Sequence, residues 1–227
     1  MIFRHVRTDI VIVTLFLTVF LAPSGLLAQL SFSQEELRSL PRTCQAQQFI
    51  HNDIHVPVTT EAERKQLLTV LGEDFMHYHH YCWGLMLVRR ANTTDQPNRR
   101  LGIYGEAVSN FDYVVRNSKS SFVLLPEVLL QKGLTLQLMS NPAAAAREFF
   151  NALRLKPSYT PAYAALIDYY LELGNVAEAR KMLESGLQHA PSSKLLQEKR
   201  KAIEDRETRR NDANTEPVRS QGRIGTH

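Results

Sequence analysis

The residues best suited to chemistry lie in the segment from residue 77 to residue 82. Three histidines and one cysteine fall within these six positions, at His77, His79, His80 and Cys82. Imidazole and thiolate groups are ligands for zinc and copper, so the segment suggests a metal or redox site. On a helix, however, only His77 and His80 share a face, because side chains three positions apart are neighbours. A metal-binding or redox protein that uses His77 to Cys82 is therefore the alternative interpretation.

No other pattern in the sequence indicates catalysis. The chain has no Ser/His/Asp set in a known frame, no glycine-rich phosphate loop, no H-E-x-x-H and no C-x-x-C. Its net charge is +4, and the positive excess lies in the first 28 residues and from Lys194 onward, so nucleic-acid binding has little electrostatic support. We expect a protein without catalytic residues, bound metal or cofactor, and without a nucleic-acid partner.

The elements that position these residues follow from a spacing that occurs twice between residues 126 and 193. Each copy ends in a proline, and the two prolines are 34 residues apart, in the runs Ala145, Phe149, Ala152, Pro157 and Ala179, Leu183, Gly186, Pro191. Small residues let two antiparallel helices approach closely, and the large residues fill the seam. The spacing predicts helical hairpins that stack, because one hairpin cannot bury its apolar face alone.

This pattern resembles the tetratricopeptide repeat, a helix-turn-helix unit of 34 residues. The copy at 160–193 matches the aromatic, leucine, tyrosine and glycine positions of that family with Tyr163, Leu166, Tyr170 and Gly174. The copy at 126–159 has Gly133 in place, whereas Leu129 and Lys132 replace the first two family residues. The resemblance implies a repeat domain over 73–210 that contains two clear copies.

A third copy at 73–118 is stretched. Gly84, Ala107 and Phe111 match the family positions, but about eleven extra residues separate the glycine from the alanine. The polar residues 92–100 contain a turn signal, and we assign the insertion to a loop there. Asn92 is also formally the first residue of a glycosylation sequon.

The predicted fold is therefore all-α: a solenoid of tetratricopeptide-type hairpins with two clear repeats and one stretched repeat. An N-terminal helical extension at 29–72 precedes it, and a polar-faced capping helix at 194–210 covers its open end. Residues 211–227 are polar and without periodicity, so we expect a disordered tail.

Two capping boxes mark helices in the N-terminal extension. Ser33 with Glu36, and Thr60 with Glu63, have the hydroxyl residue and the glutamate three positions apart. Residues 45–59 keep no period between them, and we predict an irregular connection there.

The first 28 residues have the layout of a secretory signal peptide. Arg4 and Arg7 precede an apolar run from residue 10 to residue 21, and small residues lead to Ala28. We expect cleavage after Ala28 and a periplasmic or secreted protein. Residues 10–30 are also just long enough to span a bilayer, so a membrane-anchored form is the alternative.

Export would place the two cysteines of the chain in an oxidising compartment. Cys44 and Cys82 are then most simply a disulfide, whose 38-residue loop would contribute about 3–4 kcal/mol in the chain-entropy model. Two free buried thiols are the alternative, because nothing in the sequence fixes the distance between them.

The resemblance also implies a concave binding groove, which the first helix of each hairpin lines in family members. The residues at that face are Tyr78, Tyr81, Leu85, Leu130, Leu134, Ala164 and Asp168. They are mainly apolar, and they lack the Lys, Asn and Arg with which one variant of the family clamps a C-terminal carboxylate. We expect an amphipathic helix or an extended apolar segment as the ligand. The alternative is that the N-terminal extension, tied through Cys44, fills the groove itself.

The function that the resemblance implies is that of an exported, non-catalytic scaffold or adaptor for protein–protein interactions in the cell envelope. Its partner would be another envelope protein, and contact with the membrane is expected only if the signal segment stays uncleaved.

Overall fold

A computed structural model describes residues 33–50 and 60–215 of the chain. The predicted signal peptide, the candidate membrane span at 10–30 and the end of the predicted tail lie outside these residues. The described part contains ten α-helices and no strand, so the all-α class is confirmed. The helices are α1 (Gln34–Arg38), α2 (Arg42–Ile50), α3 (Glu61–Leu71), α4 (His79–Asn92), α5 (Pro97–Asn117), α6 (Leu125–Leu138), α7 (Pro142–Leu155), α8 (Thr160–Glu172), α9 (Val176–His189) and α10 (Lys194–Thr215), with a 3₁₀ helix at Glu73–Tyr78 before α4.

Consecutive helices pair into three hairpins, α4 with α5, α6 with α7, and α8 with α9. Neighbouring hairpins touch through α5 and α6 and through α7 and α8, and α10 packs on α8 and α9. Three buried apolar clusters follow one another along this stack. The hairpins therefore form the stacked helical solenoid that the spacing predicted.

In each of the first two hairpins, the same kind of close contact holds the two helices together. A Cβ atom added at Gly84 would overlap the ring of Phe111, and one added at Gly133 would overlap the ring of Phe149. Both rings are fully buried. A glycine on the first helix therefore makes room for a phenylalanine on the second, and this contact fixes the distance between the two helices.

The loop predicted at 92–100 is confirmed only at residues 93–96, because the eleven extra residues of the first hairpin are almost all helical. Measured from the matched glycines and alanines, seven of them lengthen the start of α5, three lengthen the end of α4, and one lengthens the turn. Pro97 stands at the first turn of α5, where its missing N–H costs nothing. Tyr104 donates a hydrogen bond to Asn92 at 2.5 Å, and Arg100 donates to the carbonyl of Thr94, so the extended helices are tied together.

The N-terminal extension is more helical than expected. Both predicted capping boxes are present, at Ser33 with Glu36 and at Thr60 with Glu63. The irregular connection predicted from residue 45 is wrong as far as residue 50, since α2 continues to Ile50; residues 51–59 lie outside the described part. Gln45 is buried and donates to the carbonyl of Leu40 at 2.8 Å, a tertiary contact that its local sequence does not signal.

The N-terminal extension packs on the first hairpin. Leu37, Leu40 and Cys44 belong to the same buried cluster as the aromatic residues that begin α4. Cys44 is paired with Cys82, and their Cα atoms are 5.5 Å apart, a usual separation for a disulfide. Arg90 adds an ion pair to Glu36 at 2.9 Å, between α4 and α1.

A partly buried ion network explains the lysine that stands where the family has leucine. The Nζ of Lys132 on α6 lies 2.7 Å from a carboxylate oxygen of Asp112 on α5 and 2.8 Å from one of Glu148 on α7. Burial alone would lower the pKa of Lys132, but its hydrogen bonds to Asp112 and Glu148 raise it. The network joins two successive hairpins through one ammonium group shared by two carboxylates.

The last helix runs farther than the predicted capping helix. It ends at Thr215 and not at residue 210, so the tail predicted from residue 211 is wrong for its first five residues. Leu196 and Ile203 are fully buried and anchor the helix. Beyond Ile203 no apolar face continues, yet Glu and Arg have good helix propensity and extend it. None of the described helices has the length and apolar character needed to cross a bilayer.

Candidate functional site

The predicted groove face is closed at its N-terminal end. Tyr78 and Tyr81 are 0% and 1% exposed and lie in the cluster that Leu37 and Leu40 complete. Burial raises the pKa of both phenols above its usual range, and Tyr81 donates a hydrogen bond to Glu127 at 2.7 Å. These two tyrosines are core residues and are not accessible to a partner.

The middle of the predicted face is also packed. Leu130 and Ala164 are buried among the helices, and Leu85 is half-buried against the N-terminal cluster. Two of the seven predicted groove residues, Leu134 and Asp168, line an open depression. The accessible part of the face therefore lies toward the C-terminal end of the solenoid.

The open depression is a groove of about 430 Å³ between α6, α8 and α10. Four small or aliphatic side chains and six polar or charged ones line it, namely Leu134, Ala165, Leu171, Ala202, Gln137, Asp168, Glu172, Asp205, Arg206 and Arg209. The helices α6, α8 and α10 thus present one apolar strip with charged groups along it.

The lining of the groove follows the repeat length. Leu134, Asp168 and Ala202 are successively 34 residues apart, and so are Gln137, Leu171 and Asp205. The helix α10 therefore takes the place of the first helix of a further repeat. The prediction treated α10 only as a cap and so missed its groove residues, although the same 34-residue step carried from Asp168 would have indicated Ala202.

The charges of the groove are partly matched within it. Lys199 on α10 binds the carboxylate of Asp168 on α8, with distances of 2.7 and 2.5 Å to its two oxygens. This ion pair fixes α10 to α8. Glu172, Asp205, Arg206 and Arg209 line the remainder.

Two histidine rings of the segment 77–82 pack against the ring of Tyr113. The ring of His80 lies 3.7 Å from that of Tyr113, measured between centroids, and the ring of His77 lies 5.8 Å from it. The Nδ1 of His80 is 2.8 Å from the side-chain oxygen of Asn110, and Cys82 is in the disulfide. Within residues 33–50 and 60–215, no three His, Cys, Asp or Glu side chains are grouped so that they could hold a metal ion. The described side chains therefore give the metal-binding alternative no support.

Comparison with known proteins identifies the repeats. Residues 136–203 match the sequence profile of the tetratricopeptide repeat. A solved structure described as the first TPR of Spaghetti (RPAP3) bound to the HSP90 peptide SRMEEVD is similar, with a TM-score of 0.40 and 20% identity, over 56% of this chain and 98% of that chain. No curated protein matches the sequence. Repeats of this type indicate a role in protein–protein interaction. The matched profile is not that of a catalytic family. Residues 136–203 therefore match the tetratricopeptide repeat, and the hairpins of the described part stack one on another around them.

Proposed function

We propose that this protein is an exported, non-catalytic scaffold that binds a segment of another cell-envelope protein in the groove between α6, α8 and α10. The observation that carries the proposal is the contrast along one face of the solenoid. Tyr78 and Tyr81 are covered at one end, whereas Leu134, Asp168 and Ala202 line an open groove at the other.

The shape and chemistry of the groove support a peptide segment as the ligand. Leu134, Ala165, Leu171 and Ala202 provide an apolar strip along three helices, and polar groups flank it. A helix with one apolar face or an extended segment with apolar side chains can bury those side chains there, while its polar groups meet the flanks.

Two features of the chain support export. The first 28 residues have the charge, apolar run and small residues of a signal peptide. The pairing of Cys44 with Cys82 suits an oxidising compartment, where such bonds form and persist. The mass of the protein purified from intact cells tests the export proposal. We expect a mass that lacks residues 1–28. A full-length mass in the membrane fraction would instead support the membrane-anchored form.

A matched pair of alanine variants tests the groove. Ala202→Glu places a carboxylate on the apolar strip, whereas Ala62→Glu makes the same change at an exposed position of α3, a helix that does not line the groove. Capture of partners from an envelope extract by each variant and by the wild type, with quantitative mass spectrometry, gives the readout. We expect Ala202→Glu to lose the proteins that Ala62→Glu retains. Equal capture by both variants would contradict the groove as the binding site.

Thermal unfolding of each variant provides the control for folding. Both changes are from one good helix former to another, so both variants are expected to unfold within about 1 kcal/mol of the wild type.

A further inference from the structure

A second hollow adjoins the groove at the α8–α9 turn. It has a volume of about 600 Å³, shares Arg206 and Arg209 with the groove, and is otherwise lined by Gly174, Val176 and Arg210. Among the side chains that the structure describes, no acidic one lines it. A ligand that follows the groove toward the end of α10 therefore enters a hollow lined by three guanidinium groups.

The three arginines lie together on one face of α10. Arg209 and Arg210 follow Arg206 at three and four positions, the spacings of side chains that are neighbours on a helix. Like charges at these spacings disfavour the helix by a few tenths of a kcal/mol each. The arrangement is therefore a small cost to the stability of α10, and a bound anion would offset it.

Two nearby cations have acidic partners, whereas these three have none among the side chains that the structure describes. Lys199 is paired with Asp168, and Arg180 with Glu207. Up to Arg210, the last residue whose side chain the structure describes, no carboxylate lies within ion-pair distance of Arg206, Arg209 or Arg210. The Nε of Arg209 donates to the backbone carbonyl of Asp205, and this contact neutralises no charge.

The face that carries the arginines is held in place. Ile203 is fully buried just before it, and the pair between Arg180 and Glu207, at 2.5 Å, ties this half of α10 to α9. The three guanidinium groups therefore project from an anchored helix, and a ligand that they bind has a defined position relative to the apolar strip.

We propose, on the basis of the function proposed above, that the partner segment is acidic and that Arg206, Arg209 and Arg210 bind its carboxylates. Guanidinium groups form paired hydrogen bonds with carboxylates, which favours such a ligand over a neutral one. The segment would place apolar side chains on the strip of Leu134 and Ala202 and acidic side chains in the hollow. Continuity with an apolar groove favours a peptide over a nucleic acid, whose binding needs a wider basic surface.

Selection from a random peptide library displayed on phage tests this inference without a known partner. The purified mature protein is the target, and the readout is the acidic-residue content of the enriched peptides. The charge-reversed variant Arg206→Glu/Arg209→Glu/Arg210→Glu is compared with Arg200→Glu/Lys201→Glu, which changes two exposed cations of the same helix that line neither hollow. Circular dichroism and thermal unfolding check that each variant is folded, and a glutamine triple variant replaces the first one if charge reversal unfolds α10.

We expect the wild type and the Arg200/Lys201 control to enrich peptides with acidic residues next to apolar ones. The affinity of a synthetic copy of such a peptide is expected to fall about tenfold or more in the triple variant and to weaken with added salt. Enriched peptides without excess acid, or equal affinity in the triple variant, would overturn the inference. So would an equally strong, arginine-dependent affinity for a single-stranded oligonucleotide, because the site would then bind any polyanion.

The selection also separates this inference from the proposed function. Apolar peptides that Ala202→Glu loses and the arginine variant retains would leave the groove in place and remove only the acidic ligand. A library that yields no enrichment above background on the wild type would contradict both.

Discussion

Leu85 and Leu134 follow the matched glycines of two hairpins, yet they have opposite surroundings. Leu85, after Gly84, packs against the cluster that the N-terminal extension completes, whereas Leu134, after Gly133, lines the open groove. The repeat pattern therefore determines which side chains face the concave side, but the neighbouring segments decide whether a partner can reach them. A disulfide and an ion pair cover one end, and α10 shapes a groove at the other.

The largest expected effect comes from opening the covered end. We expect Cys44→Ala/Cys82→Ala to lower the free energy of unfolding by about 3–4 kcal/mol, because the unfolded chain regains the freedom that a 38-residue loop had removed. Denaturant unfolding of the variant, and of the wild type with and without reductant, measures the loss. Partner capture is expected to persist, since the groove lies on other helices. An unchanged stability would mean that the bond does not hold the extension in place.

The glycines of the first two hairpins test whether both are built alike. Gly84→Ala and Gly133→Ala are each expected to lower the free energy of unfolding by about 2 kcal/mol, because the new methyl group meets the ring of Phe111 or Phe149. Gly102→Ala is the matched control: it lies in α5 with no atom near the added methyl group, and is expected to stabilise by about 0.5–1 kcal/mol. A large difference between Gly84→Ala and Gly133→Ala would show that the stretched hairpin packs differently.

The ion network between the hairpins has a smaller expected effect. Lys132→Met leaves Asp112 and Glu148 without their shared cation, and we expect a loss of about 1–2 kcal/mol, less than for a fully enclosed pair because Asp112 is partly exposed. The pKa of Lys132 is raised above its ordinary 10.5, so its contribution is fully present below that pH and lost as the pH rises through the folded-state value. Unfolding at pH 7 to 9 should therefore give a constant difference from the wild type. A difference that vanishes within this range would contradict the network.

The smallest expected effect concerns the ion pair at the covered end. The hydrogen bond from Arg90 lowers the pKa of Glu36 below its ordinary 4.5, so this pair stabilises the fold above pH 4.5 and loses its effect as the pH falls through the folded-state value. Glu36→Gln keeps the capping group of α1 but removes the charge, and we expect a loss of less than about 1 kcal/mol at pH 7. Stability curves of the two proteins should converge as the pH falls below the folded-state pKa of Glu36. If the two curves stay parallel at low pH, the loss of stability comes from a weaker cap of α1 and not from the missing charge of Glu36.

The sequence predicted the parts of the fold that depend on local spacing. The contacts between helices follow from the hairpin glycines and phenylalanines. The helix ends follow from both capping boxes and from the closing prolines. It did not predict α2, because Gln45 and Cys44 are held by tertiary contacts that leave no apolar period. The extended start of α5 was also missed, since a polar stretch reads as a loop when its contacts, such as Tyr104 with Asn92, are distant in sequence.

The groove could be predicted only in part for a similar reason. Leu134 and Asp168 follow from the repeat register, and so does Ala202 once α10 is counted as a further first helix. The burial of Tyr78 and Tyr81 depends on Leu37 and Leu40, which approach them only after the chain has folded back on the first hairpin.

A site-specific crosslinker tests the central claim, that the groove between α6, α8 and α10 is the surface that binds a partner. Both native cysteines are in the disulfide, so a cysteine introduced at Gln137 in the groove, or at exposed Leu101 on α5, can be labelled alone with a photoreactive group. After illumination in an envelope extract, we expect position 137 to give a discrete crosslinked partner and position 101 to give none. A partner crosslinked from position 101 and not from position 137 would contradict the claim.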